Sequence, residues 1–153
     1  MKDELVNSIQ SLCISNHWTL SVAESCTGGA IAARFTRVSG CSQYFLGSIV
    51  AYSNDLKIKL LGIDPQDLDT HGAVSQVIVE KMARGVMQLT GSDYSLAVTG
   101  IAGPEGGSSE KPVGTVLAAI AGHRGDLVVL ELKLSGSRHE IIAGKRRIIA
   151  CLF

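Results

Sequence analysis

Two apolar runs, YSLAVTG at 94–100 and GTVLAAIAG at 114–122, stand on either side of a segment rich in glycine; residues 98–116 hold five glycines and two prolines. Short apolar runs bounded by such turn residues read as strands buried on both faces. A loop held between two core strands is shaped for a ligand rather than left as a linker. Around this pair, helical and strand periodicity alternate. Residues 3–15 place Leu5, Ile9, Leu12 and Cys13 at helical spacing, and TLSVAE (19–24) then alternates Leu20, Val22 and Glu24 against Thr19, Ser21 and Ala23. AIAARFTRVSG forms a helix ending at Gly40, FLGSIVAY (45–52) a strand, SNDLKIKLLGI a further helical pattern, and residues 75–90 an amphipathic helix with Ser75 as N-cap. GTVLAAIAG and DLVVLELKLS join at HRGD as a hairpin, and SRHEIIAGKRRIIACLF closes the chain as a helix. This order predicts an α/β fold, a three-layer α/β/α sandwich with a mixed, mostly parallel sheet. Ligands of open α/β sheets collect beyond the carboxyl ends of strands, so Ser25, Tyr52 and the loop from Thr99 are expected to converge.

The 153 residues, 46% of them hydrophobic, suit one domain over 1–153. Fourteen Lys+Arg balance fourteen Asp+Glu, so no basic field for nucleic acid is present. Cys13, Cys26, Cys41 and Cys151 are scattered singly, without zinc-site spacing, and read as reduced thiols of a cytoplasmic protein with no structural metal. The amphipathic, acid-containing start MKDELVNSIQSLCISNHW lacks the continuous apolar stretch of a signal peptide or membrane span.

Chemistry concentrates in three stretches. In AESCTGG (23–29), Ser25 ends a strand ahead of a helix start, where backbone N–H groups of the turn suit an anion or a developing oxyanion. The same residues read equally as a strand-to-helix turn with a Ser or Thr N-cap. In AYSNDLKIK (51–59), capping by Ser53 or Asn54 brings Tyr52 and Lys57 to the same end of the sheet. A lysine in a dry pocket loses proton affinity and serves as a base, with the tyrosine hydroxyl as relay; the alternative is an edge tyrosine and a solvated lysine. In the glycine-rich loop, the backbone suits a phosphate or ribose, with Thr99 and Thr115 as hydroxyl donors and Lys111 as a cation. SSEK (108–111) fits the serine–lysine SxxK spacing, but it lies among glycines before Pro112, where no helix aligns the pair. Arg138 stands near the start of the last helix, either clamping a phosphate or solvated. His71 supports a turn.

AESCTGG, AYSNDLKIKLLGI, HGAVS, TGIAGPEGG and KPVGTV, in this order and spacing, resemble the CinA C-terminal domain family, and the resemblance spans nearly the whole chain. It implies hydrolysis of the carboxamide of nicotinamide mononucleotide to nicotinate mononucleotide and ammonia, in pyridine nucleotide salvage. It implies a Ser–Tyr–Lys catalytic set at Ser25, Tyr52 and Lys57, with substrate contacts at Thr27, Gly28, Thr99, Gly100 and Arg138, and no metal or organic cofactor. Many such proteins carry the domain behind a larger N-terminal domain, so this chain reads as a stand-alone form. Apolar helix surface points to a homodimer. Two other readings stay open: a nucleotide-binding sensor or assembly module without turnover, and a Ser–Lys amidase of another carboxamide.

Overall fold

β1 (Leu20–Glu24) is buried along its whole length, because it pairs on both sides: in parallel with β2 (Phe45–Val50) and in parallel with β3 (Tyr94–Gly100). β4 (Thr115–Gly122) runs antiparallel to β3, and β5 (Leu127–Lys133) antiparallel to β4. The sheet order is β2-β1-β3-β4-β5, and β4 alone runs against the other four strands. The computed structural model describes residues 4–144; Cys151 and the end of the expected last helix lie outside the described residues.

Period-2 alternation divides the strand side chains between two faces. Leu20, Val22, Leu96, Val98, Val116 and Ile120 meet Val6, Ile9 and Cys13 of α1 (Glu4–Asn16), Ile31 and Phe35 of α2 (Ala30–Thr36) and Ile141 of α6 (Arg138–Ala143). Ala23, Ala97, Leu117, Ala119 and Ala121 face Leu61 of α3 (Asn54–Leu61), Leu68 of α4 (Pro65–His71) and the apolar stripe of α5 (Gln76–Thr90). Helices therefore cover both sides of the sheet, as expected. α5 buries Ile78, Val79, Met82 and Val86, each large side chain contributing roughly 1.5–3 kcal/mol. Ser75 caps it, accepting from Ile78 N–H. No helix among the described residues is long and apolar enough to cross a membrane.

Three details depart from the sequence reading. β2 ends at Val50, leaving Ala51 and Tyr52 in the corner before α3. α2 ends at Thr36, ahead of a short 3-10 turn at Cys41–Gln43. α4 is an additional helix, started by Asp64, which accepts from Gln66 N–H, and by Pro65 in the first turn, where proline lacks only a donor that is unpaired anyway.

Neither a serine nor a threonine caps α2. Its N-cap is Gly29, left-handed at φ 98° and following Gly28 at φ 58°, and the turn folds back over the end of β1. There the carboxylate of Glu24, fully buried, accepts from the N–H groups of Gly29 (3.0 Å), Ile31 (3.1 Å) and Ala32 (2.9 Å), from the Thr27 hydroxyl (2.6 Å) and from the Ser48 hydroxyl of β2 (3.3 Å). A buried carboxylate is tolerable only with such a set of donors, and the α2 N-terminus supplies them.

Glu24→Ala leaves these buried donors unpaired, at about 1–3 kcal/mol each, and is expected to destabilise the fold by about 3 kcal/mol or more, with Glu24→Gln losing less. A denaturant melt of both variants within 1 kcal/mol of wild type would overturn this role for the carboxylate. Gly85 of α5 crosses α3 so closely that an added Cβ would stand 2.2 Å from the Leu61 carbonyl oxygen. Helix propensity favours alanine by about 1 kcal/mol, but overpacking against backbone costs about 1–3 kcal/mol. Gly85→Ala should therefore lower the thermal midpoint, and an unchanged or raised midpoint by circular dichroism contradicts the crossing.

Candidate active site

Because β2, β1 and β3 run in parallel, their carboxyl ends open onto one edge of the sheet. Ser25 follows β1, Tyr52 follows β2, and Thr99 and Gly100 end β3. Together with Lys57 of α3 and Arg138 of α6 they line one cavity of about 280 Å³.

Ser25 continues the sheet by one bond, its N–H donating to Val98 O at 3.0 Å, so its side chain is held at the cavity floor. It is 8% exposed. Lys57 lies one turn into α3, whose N-terminus is capped by the Ser53 side chain accepting from Leu56 N–H. Its helix position places it on the same face as Leu61, towards the core, and the side chain is 1% exposed. Lys59 points away and pairs with Asp55 in solvent.

The Lys57 Nζ donates to the carbonyls of Ala51 (3.0 Å) and Tyr52 (3.2 Å) and stands 3.1 Å from Ser25 Oγ. It forms no ion pair among the described residues. Burial without a carboxylate penalises the charged form, and the Lys57 amine is pushed below the ordinary lysine value for that reason. A neutral amine has two N–H donors and one lone pair. As an ammonium, Nζ donates to both carbonyls and to Ser25 Oγ; as a neutral amine with the carbonyls taking its donors, it would turn the lone pair to the serine hydroxyl.

The other expected residues divide. Tyr52 is 56% exposed, and its phenol oxygen accepts from Arg138 Nη2 at 2.7 Å; the tyrosine meets Lys57 through its carbonyl instead of its hydroxyl. Arg138 also donates through Nη1 to Gly103 O at 2.8 Å, which ties α6 to the glycine-rich loop. The Thr99 hydroxyl donates to Ala73 O at 2.9 Å and fixes the segment ahead of α5 along the cavity wall. Thr27 and Gly28 do not line the cavity. The Thr27 hydroxyl is engaged by Glu24, and the Gly28 N–H donates to Ser25 O at 3.1 Å.

This corrects the expectation for the turn. The α2 N-terminus is already occupied by the chain's own carboxylate, so it offers little to a foreign anion. Within the turn, the N–H groups of Cys26 and Thr27 bond no oxygen among the described residues. Cys26 lies beside the serine with its thiol pushed up to about 12 by burial, which keeps it protonated and unreactive.

Thr115 and Lys111 fall outside this cavity and line a separate groove with Glu131 and Val129. Lys111 donates to His71 O, and His71 ends α4. Ser108 and Lys111 form a turn, Ser108 accepting from Lys111 N–H, rather than one face of a helix. Sequence reasoning missed Asn54 and Glu105, which line the cavity, and the capping role of Glu24. Glu24 carried a legible signal, an acid in register with Leu20 and Val22 on a buried strand; Asn54 and Glu105 carried none.

The model of the CinA C-terminal domain matches residues 2–148. A CinA-like protein of Shewanella baltica (strain OS155) is 44% identical over 149 residues, covering 97% of this chain and 35% of that protein. A CinA-like protein of Geotalea daltonii is 62% identical over 104 residues, 68% of this chain and 25% of that protein. The chain thus spans about a third or less of the length of these curated relatives. Among solved structures, the competence/damage inducible protein CihA from Agrobacterium tumefaciens superposes with a TM-score of 0.93 at 38% identity, over 97% of this chain and 91% of that one. With the family model matched across nearly its whole length, the chain belongs to the CinA C-terminal domain family.

Proposed function

We propose that this chain is an amidohydrolase that cleaves the carboxamide of nicotinamide mononucleotide, releasing nicotinate mononucleotide and ammonia, as a step of pyridine nucleotide salvage in the cytoplasm. The observation that carries the reading is the buried Ser25–Lys57 pair at 3.1 Å, in which an uncompensated lysine faces a serine hydroxyl.

Lys57, neutral, takes the proton of Ser25 as the oxygen attacks the carboxamide carbon. The oxyanion that forms takes the N–H group of Cys26, which lines the cavity beside Ser25. The ammonium of Lys57 then returns its proton to the leaving nitrogen, directly or through Tyr52, and ammonia departs. Water, deprotonated by the same amine, hydrolyses the acyl-serine and restores the pair. These steps use only side chains and backbone of this chain. Arg138 and Glu105 both line the cavity, and opposite charges in one pocket suit a substrate with an anionic phosphate and a cationic ring.

The test is ammonia release with nicotinamide mononucleotide, beside nicotinamide, NAD and an unrelated carboxamide. Release with the mononucleotide alone supports the reading; release only with another carboxamide replaces the substrate, and none at all sinks the amidase. Ser25→Ala is expected to lower kcat at least about a thousandfold while mononucleotide binding stays measurable by calorimetry.

Lys57→Met should lose about 10²–10⁴ in kcat. The active form of Lys57 is the neutral one and its pKa is lowered, so activity is expected to fall as pH drops through that pKa. The ascending limb of kcat against pH lies below the ordinary lysine range. A limb at the ordinary value, or a Lys57→Met variant with normal turnover, removes the lysine as base.

A further inference from the structure

Arg138 and Tyr52 are 86 residues apart in sequence and meet at the mouth of the cavity. Both hydrogen bonds that the guanidinium makes go to neutral acceptors, the Tyr52 phenol oxygen and the Gly103 carbonyl. A phosphate monoester is a stronger acceptor than either, because its bonds to arginine are charge-assisted and bidentate. An anion arriving at Arg138 therefore competes with the phenol for the guanidinium.

The backbone of Tyr52 does not move with its ring. Ala51 N–H donates to Glu24 O at 2.9 Å, and the carbonyls of Ala51 and Tyr52 are held by the Lys57 amine. The residue is 56% exposed, so its side chain is not enclosed by the fold. Release of the phenol thus leaves rotation about the side-chain bonds as the motion available, around a Cα whose own carbonyl is bonded to the amine.

We propose that Arg138 is a specificity-determining residue that acts through Tyr52: it holds the phenol away from the Ser25–Lys57 pair until a substrate phosphate takes the guanidinium and frees the tyrosine to turn inward. The phosphate then contributes to turnover as well as to binding, the use of remote binding energy at the reacting centre. For its kinetic consequence this inference rests on the amidase reading; the displacement of Tyr52 does not.

The displacement is read by fluorine NMR on the full chain carrying 3-fluorotyrosine at Tyr44, Tyr52 and Tyr94, with the Tyr52 resonance assigned by Tyr52→Phe. Ribose 5-phosphate, which has the phosphate and no carboxamide, is the probe. Its titration to saturation is expected to move the Tyr52 resonance to the position it occupies in unliganded Arg138→Ala, where the same probe causes no further movement. Arg138→Lys, which keeps the charge and loses the fork, should sit between the two.

A Tyr52 resonance that stays in place at saturation, a failure of the probe to bind at millimolar concentration, or an Arg138→Ala resonance coincident with that of wild type overturns the proposal. In kinetics, nicotinamide riboside should show a kcat about tenfold or more below that of the mononucleotide in wild type. The ratio should fall to within about twofold in Arg138→Ala. A merely structural role for Arg138 lowers both rates and leaves the ratio intact. If no carboxamide releases ammonia but the resonance shifts, the amidase reading fails and the displacement stands; ammonia release without the shift sinks the displacement alone.

Discussion

The buried carboxylate of Glu24 is the junction from which the rest of the site is built. Its side chain gathers the α2 N-terminus and Ser48 of β2, and its backbone carbonyl accepts from Ala51 N–H. The first set of bonds fixes the turn in which Ser25 stands. The second fixes the corner whose two carbonyls receive Lys57. One residue thereby positions Ser25 from one side and Lys57 from the other, although it lines no part of the cavity. The cost is that a helix end, ordinarily available to an anionic ligand, is consumed internally.

The two faces of the sheet do different work. Branched and aromatic side chains fill the space under α1 and α2. The opposite face is lined by Ala23, Ala97, Ala119 and Ala121, with Ser95 donating to Ala83 O of α5 at 2.6 Å. Small side chains let α5 lie close to the sheet, and Gly85 lets α3 lie close to α5. This stack sets the depth at which Lys57 enters, so a packing choice on a face remote from the chemistry decides how dry the amine is.

Much of this arrangement was legible in local pattern. Period-2 alternation gave the strands, and parallel order followed from helices between them, which made the convergence of Ser25, Tyr52 and Thr99 a matter of topology. The inward face of Lys57 follows from its i, i+4 relation to Leu61. What local pattern does not carry is the partner of a side chain from a distant segment. A strand end followed by a capped helix brings Tyr52 and Lys57 to the same end of the sheet, but the Tyr52 hydroxyl answers to Arg138 on the last described helix. The resemblance implies ligand contacts at Thr27 and Gly28, and a glycine turn before a helix suits anions; the anion at that helix end is the adjacent glutamate. Asp64–Pro65 is a helix start signal, a capping acid followed by a first-turn proline, and it begins α4.

A serine–lysine pair also has an orientation problem that a serine–histidine pair solves with a third residue holding the imidazole. An ammonium rotates freely, and a neutral amine has no ring to fix its lone pair. Here the carbonyls of Ala51 and Tyr52 do the fixing: they hold the nitrogen 3.1 Å from Ser25 Oγ, and in a neutral amine with both N–H bonds spent on them the lone pair would turn to the serine. A lysine acts as a base only while uncharged, and the burial that lowers the pKa of Lys57 has a thermodynamic sign. A lysine whose pKa is lower in the folded state binds fewer protons there than in the unfolded chain at pH values between the two constants. It therefore costs stability increasingly as pH falls from the ordinary lysine range towards the lowered value, and by a constant amount below it. Such a cost has no purpose in a packing residue, for which an apolar side chain of similar length suffices. Its presence at the carboxyl edge of a sheet, beside an otherwise unremarkable serine, is what makes the pair read as chemistry and not as core.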